Sequence, residues 1–185
     1  METRPRRIVR ARAGLVVVDV QERLLPAMAD RERLSIELER LARGAVLLKL
    51  PVWVTEQYSK GLGATVPPMR EAVGAAETFE KLTFSASGAP GLMASLAARS
   101  VTEVILCGIE AHVCVAQSCL DLLDAGLRVF VVVDAVGSRT AANREVGIDR
   151  MREAGALLVS TEMILFELME AAGGPEFKEL QRLVK

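Results

Sequence analysis

Histidine, tryptophan and tyrosine each occur once and cysteine three times in this 185-residue chain, and each scarcity closes off a class of chemistry. One histidine, His112, cannot supply a three-histidine or His/carboxylate zinc site. Aromatic residues make up 4% of the chain, too few for a platform on which the bases of a single strand stack. Lysine and arginine total 23 against 24 for aspartate and glutamate, so the basic excess of nucleic-acid-binding modules is missing and no nucleic-acid partner is expected. Cys107, Cys114 and Cys119 are odd in number and contain no CxxC spacing, which argues against a disulfide framework and for a reducing compartment. No apolar run approaches the roughly 20 residues of a membrane span. The arginine-rich first residues lead into no apolar stretch with a cleavage site. Neither a membrane partner nor export is expected, and the predicted location is cytoplasmic.

What the chain does have is core material. Its hydrophobic fraction is 51% and its charged fraction 25%, the composition of a globular protein. A chain of this length buries roughly 70% of its unfolded surface without staples. One domain over residues 1–185 is expected, with 1–13 as an arm whose Arg4, Arg6, Arg7, Arg10 and Arg12 read as a solvated edge. Short, β-branched apolar runs at 14–19, 51–55, 104–107, 128–133 and 156–159 predict strands covered on both faces. Between them, helical patterns fall at 31–49, 91–100, 113–125, 143–154, 161–171 and 175–184, with Gly126 and Gly155 as helix stops. Strand–helix alternation at this spacing predicts a doubly wound α/β sheet. One long region, from 57 to about 90, is punctuated by glycine and proline and reads as irregular, a lid or pocket wall.

In such sheets ligands bind beyond the carboxyl ends of the strands, where strand order reverses. Asp19 ends the first strand, where a carboxylate either faces a pocket or caps the next element. Cys114 follows the third strong strand and a glycine-led turn, at the start of a predicted helix. There a thiol faces unpaired backbone N–H groups that favour the thiolate, although a small buried thiol without function is an open alternative. Lys81 lies among apolar neighbours in Thr-Phe-Glu-Lys-Leu-Thr-Phe over 78–84 and is either solvated or turned inward. No GxGxxG, Walker A or GxSxG sequence occurs, so nucleotide-binding and serine-hydrolase fingerprints are missing.

Three segments in order, Leu-Val-Val-Val-Asp-Val-Gln at 15–21, Thr-Phe-Glu-Lys-Leu-Thr-Phe-Ser at 78–85 and Gly-Ile-Glu-Ala-His-Val-Cys-Val at 108–115, resemble the isochorismatase-like cysteine hydrolases. The chain is most similar to the small isochorismatase-domain proteins of undefined substrate, over residues 14 to about 171. The resemblance implies a three-layer α/β/α fold around a six-stranded, mostly parallel, Rossmann-like sheet. It implies a triad in which Asp19 is the base, Lys81 holds the thiolate and Cys114 is the nucleophile. It also implies a cis peptide at Ile109–Glu110 and an oxyanion hole from the backbone N–H groups of Glu110 and Cys114. Gln21, Gln57 and Phe84 are expected to line the substrate site by proximity to these motifs. Members commonly assemble, so a homo-oligomer is expected.

Departures narrow the reading. Nicotinamidases of the family carry an Asp-x-His metal motif where this chain has Glu56-Gln57-Tyr58, so neither metal nor cofactor is expected. True isochorismatases lack the nucleophilic cysteine, and carbamoyl amidases keep a threonine in the turn that here reads Glu110-Ala-His112. The expectation is a metal-independent cysteine hydrolase of a small molecule, cleaving an amide or related C–N bond through a thioester. The alternatives are a non-catalytic binding or regulatory protein that retains the fold, and a thiol-based redox sensor.

Overall fold

The computed structural model describes residues 7–185. Six parallel strands, β1 (Ala13–Val18), β2 (Val52–Gln57), β3 (Glu77–Lys81), β4 (Glu103–Ile109), β5 (Arg128–Gly137) and β6 (Leu157–Val159), pair in the order β3-β2-β1-β4-β5-β6. The helices are α1 (Arg31–Leu47), α2 (Ser59–Leu62), α3 (Pro67–Ala72), α4 (Leu92–Ala98), α5 (Ala116–Asp124), α6 (Ala141–Glu153), α7 (Thr161–Met169) and α8 (Phe177–Val184). Successive strand residues point to opposite faces, and β1 uses both. Leu15 and Val17 pack with Leu38, Leu41, Ile164 and Leu180 of α1, α7 and α8. Val16 and Val18 pack with Leu92, Leu96, Cys119 and Met151 of α4, α5 and α6. Every residue of β1 and β4 is buried, which is why these strands read as continuous apolar runs.

The sequence-predicted elements recur with shifted ends, and Gly126 (φ 81°) and Gly155 (φ 105°) end their helices in the left-handed conformation. Two expectations are corrected. The region from 57 to 90 is not irregular: it holds α2, α3 and the edge strand β3. The reading missed β3 because only Lys81 of its five residues is buried, so Glu77, Thr78 and Glu80 stay at the surface and no apolar run forms. The expected arm of residues 1–13 is also different. Arg4 and Arg6 lie outside the described residues, but from Ile8 onward the chain is tied down. Ile8 is buried, Val9 N–H donates to Glu103 Oε2 (2.7 Å), and the Arg10 guanidinium donates to Leu48 O (2.6 and 2.9 Å) just after α1. An arginine there satisfies a carbonyl that the helix leaves without an internal partner.

The chain runs outward from β1 to β2 and β3, then returns across the sheet to β4 on the other side of β1. The carboxyl ends of β1 and β4 therefore flank the point where strand order reverses, and their loops part into a crevice. Among the described residues no helix is long and apolar enough to cross a membrane.

Candidate active site

Asp19 follows β1 directly, in a left-handed backbone conformation (φ 52°) that aspartate tolerates. It is fully buried, at a depth where a carboxylate is stable only if paired and hydrogen-bonded. Its neighbours supply both. Thr55, the register partner of Val18 on β2, donates its hydroxyl to Oδ1 at 2.7 Å. Lys81, at the end of β3, donates its Nζ to Oδ2 at 2.6 Å, and both side chains of this ion pair are 0% exposed. The Lys81 ammonium also donates to Gln57 Oε1 (2.8 Å), Phe84 O (3.0 Å) and Thr83 O (3.2 Å). Every group around it is an acceptor.

Cys114 comes to the same carboxylate from the other side of the crevice. β4 ends at the cis peptide Ile109–Glu110, and the chain then winds through one π-helical turn, Ala111–Val115, before α5 begins. The amides of Val113 and Val115 both donate to Glu110 O. Two glycines let this turn sit so close. A Cβ on Gly108 (φ 117°) would lie 2.1 Å from Val18 O, and one on Gly147 would lie 2.8 Å from Ala111 O and from His112 Cα. β4 and α6 therefore press bare backbone against β1 and against the turn.

The thiol is buried, and the Asp19 carboxylate and the Glu110 backbone N–H are near enough to act on the sulfur. Burial first, and then the Asp19 charge, push the Cys114 thiol up to about 12; Lys81 and the Glu110 amide pull the other way and are outweighed. A thiolate favoured by Lys81 and a helix N-terminus was expected; Lys81 does favour it here, but burial and the Asp19 carboxylate oppose it more strongly. Lys81 weighs less here because its charge is already paired with Asp19 at 2.6 Å.

Asp19, Lys81 and Cys114 thus meet at one point, with Glu110 beside them. Of the residues expected to line the substrate site, Gln21 and Gln57 are both engaged by hydrogen bonds within the protein. Gln21 is fully buried and its amide is spent on backbone, donating to Gln57 O (3.0 Å) and Gly63 O (2.7 Å) and accepting from Gln57 N–H (2.8 Å). Gln57 accepts from Lys81 and donates to Leu82 O (2.9 Å), so it holds the lysine. Phe84 is about half exposed (54%) and gives its carbonyl to Lys81. His112 Nδ1 lies 3.0 Å from Ser138 Oγ. Cys107 and Cys119 are buried in the two apolar layers, and burial raises both thiols. Glu56, where a metal motif would begin, accepts from the Thr65 amide and hydroxyl at 2.7 Å each. Among the described residues no group of three or more His, Cys, Asp or Glu side chains is placed to hold a metal ion.

Two contributors were missed from sequence. Thr55 had no signal beyond its register opposite Val18, which only strand pairing reveals. Ser118, whose hydroxyl donates to Cys114 O at 2.6 Å, had one: it stands one helical turn after the cysteine.

The family model described as "Isochorismatase domain" matches residues 13–163. The chain is 40% identical over 181 residues to isochorismatase domain-containing protein 2 of Macaca fascicularis, covering 97% of this chain and 86% of that one. A solved structure described as MAR1 ribonuclease from Caenorhabditis elegans superimposes with a TM-score of 0.89 at 39% identity, over 96% of this chain and 92% of that one. The YcaC gene product of Escherichia coli, described as an octameric hydrolase of unknown specificity, gives a TM-score of 0.86 at 27% identity, over 91% and 85% of the two chains.

Proposed function

This chain belongs to the isochorismatase family, and from that premise we propose that it is a metal-independent cysteine hydrolase of a small molecule that cleaves an amide or related C–N bond. The observation that carries this reading is the meeting of the Cys114 thiol and the Lys81 ammonium on one buried carboxylate, Asp19. The carboxylate can receive a proton and the thiol can attack, in a site that excludes bulk water.

In this mechanism the sulfur attacks the carbonyl carbon as its proton passes to Asp19. Lys81 keeps that carboxylate in place and balances its charge. The oxyanion of the tetrahedral species meets the backbone N–H groups of Glu110 and Cys114. Asp19 then returns the proton to the leaving nitrogen as the C–N bond breaks, which leaves a thioester on Cys114. Water attacks the thioester with its proton going to Asp19. Collapse of the second tetrahedral species breaks the C–S bond, releases the acid and restores the thiol. The sum is amide plus water to acid plus amine. A thiol that is neutral at rest suits this sequence, because proton transfer and attack then occur together only when a carbonyl is present.

Panels of small amides and ureas, assayed for released amine, test the proposal. Cys114→Ala is expected to reduce turnover by at least about 1,000-fold, the scale on which removal of a nucleophile acts, with little loss of fold. A substrate turned over equally by the alanine variant overturns it. The ribonuclease description of the C. elegans relative makes an RNA oligonucleotide a necessary arm of the same assay. Cleavage of RNA that Cys114→Ala abolishes replaces the small-molecule reading; a formal net charge of −1 argues for the small molecule. We also propose a cytoplasmic protein, supported by three free, buried thiols, and a homo-oligomer, supported by the octameric E. coli relative.

A further inference from the structure

A second connection links the Cys114 turn to Lys81, built from groups that the proposed chemistry does not use. Ser118 lies on α5 and is fully buried. Its hydroxyl donates to Cys114 O at 2.6 Å and accepts from the backbone N–H of Ala86 at 2.7 Å. A serine bonded only to the carbonyl one turn back is a local feature of many helices. Here the same hydroxyl also reaches a backbone amide 32 residues away in sequence. That amide opens the short 3-10 turn Ala86–Gly88, in the segment that follows β3.

Further along the same helix face, Asp121 accepts from Ser87 Oγ at 2.8 Å, and Ser87 Oγ lies 2.7 Å from Ser85 Oγ. The face 114/118/121 is thereby stitched to residues 85–87. The near end of this segment is held by Lys81, which donates to Thr83 O and Phe84 O. A chain of hydrogen bonds results: Asp19 to Lys81, Lys81 to the segment, the segment to Ser118, and Ser118 to Cys114.

We propose that Ser118 is a positioning residue for the nucleophile, its two hydrogen bonds fixing how far the Cys114 turn stands from the Lys81-anchored segment and hence from the Asp19–Lys81 pair. The proposal rests on Cys114 being the nucleophile and goes beyond that reading. Ser118 acts through the backbone carbonyl of Cys114 and through the segment, and takes no part in proton transfer. Both of its partners are main-chain groups, so its loss moves a turn and a loop together.

The test is the pH profile of Cys114 alkylation by iodoacetamide, read peptide by peptide by mass spectrometry, together with a thermal melt of each variant. With these bonds intact, the sulfur stays beside Asp19 and its alkylation midpoint stays high, as for a thiol pushed up to about 12. Ser118→Ala is expected to lower the midpoint by at least about one pH unit toward that of an ordinary thiol, about 8.5. Ser118→Thr, which keeps the hydroxyl, is expected to retain the wild-type profile. Ala86→Pro cuts the stitch from the other side and serves if Ser118→Ala does not fold. Ser85 is already extended (ψ 137°), as a residue before proline must be; proline removes the donating N–H and sets its ring carbon against Ser118 Oγ, so the stitch is broken from the segment side. The same downward shift is expected. Folded variants with a lower melting temperature but the wild-type profile overturn the proposal and leave Ser118 a structural residue. Asp19→Asn separates the two levels. If it leaves the wild-type midpoint in place, the sulfur is not governed by that carboxylate, and the nucleophile reading fails together with the positioning proposal.

Discussion

Lys81 donates to Asp19, Gln57, Thr83 O and Phe84 O, more acceptors than an ammonium has N–H groups, so it serves as an anchor. Its energetic role is asymmetric. Removing one partner of a buried pair strands the other charge at a cost of about 3–5 kcal/mol, whereas removing both is often nearly neutral. Lys81→Met is therefore expected to destabilise by about that amount, and Asp19→Asn combined with Lys81→Met to regain most of it while remaining inactive. Urea unfolding of the two single variants and the double variant measures this; additive losses count against it. At Cys114 the sign follows from the charges. The negative Asp19 opposes a second negative charge on sulfur, so Asp19→Asn lowers the pH at which the thiol ionises while abolishing turnover. A variant more readily alkylated yet inactive is the expected signature. The residue types and their order were legible in the sequence. The direction in which the thiol is pushed was not, because it depends first on burial and then on a carboxylate 95 positions away that the fold brings near the sulfur.

Two backbone approaches position the turn that carries Cys114. Gly147 lets α6 lie against Ala111 and His112, and Gly108 lets β4 pass beside Val18. Gly147→Ala forces a Cβ to within 2.8 Å of main-chain atoms that have no rotamer to yield. The expected cost is about 1–3 kcal/mol of stability, with turnover reduced at least about tenfold because reactive groups misplaced by about 1 Å lose rate steeply. Gly155→Ala is the control, since nothing lies within 4 Å of its Cβ. It carries only the backbone strain of a side chain at positive φ, at least about 1–2 kcal/mol, with turnover unchanged. Equal loss of activity in both variants contradicts the positioning role of Gly147. At this scale the buried strands were legible because burial on both faces writes a continuous apolar run. β3 was not, because an edge strand with one buried residue writes none. The π-helical turn Ala111–Val115 was likewise read as the start of an ordinary helix.

Over the whole molecule, three buried thiols share one direction of shift: burial raises Cys107, Cys114 and Cys119. In the unfolded chain they ionise near pH 8.5, so above that pH the unfolded state binds fewer protons than the folded one and stability falls as pH rises. Three groups titrating only in the unfolded state give a slope of roughly 4 kcal/mol per pH unit, present below about pH 8.5 as full stability and lost toward pH 12. Urea midpoints between pH 8 and 10 read this slope; a Cys107→Ala, Cys119→Ala double variant is expected to cut it by about two-thirds. A slope unchanged in the double variant counts against this account. Light scattering in solution checks the proposed homo-oligomer, and a monomer at micromolar concentration overturns it. The alternation of buried strands and amphipathic helices determined the α/β architecture from sequence, because apolar periodicity is a local property that each segment carries by itself. The motifs around Asp19, Lys81 and Cys114 determined the family for the same reason. Only the tertiary structure decided that β3 belongs to the sheet, that Gln21 is bonded to backbone while Gln57 holds Lys81, and that burial and Asp19 push the Cys114 thiol up. Each of these depends on the distance between segments remote in the chain, and burial and charge act through that distance.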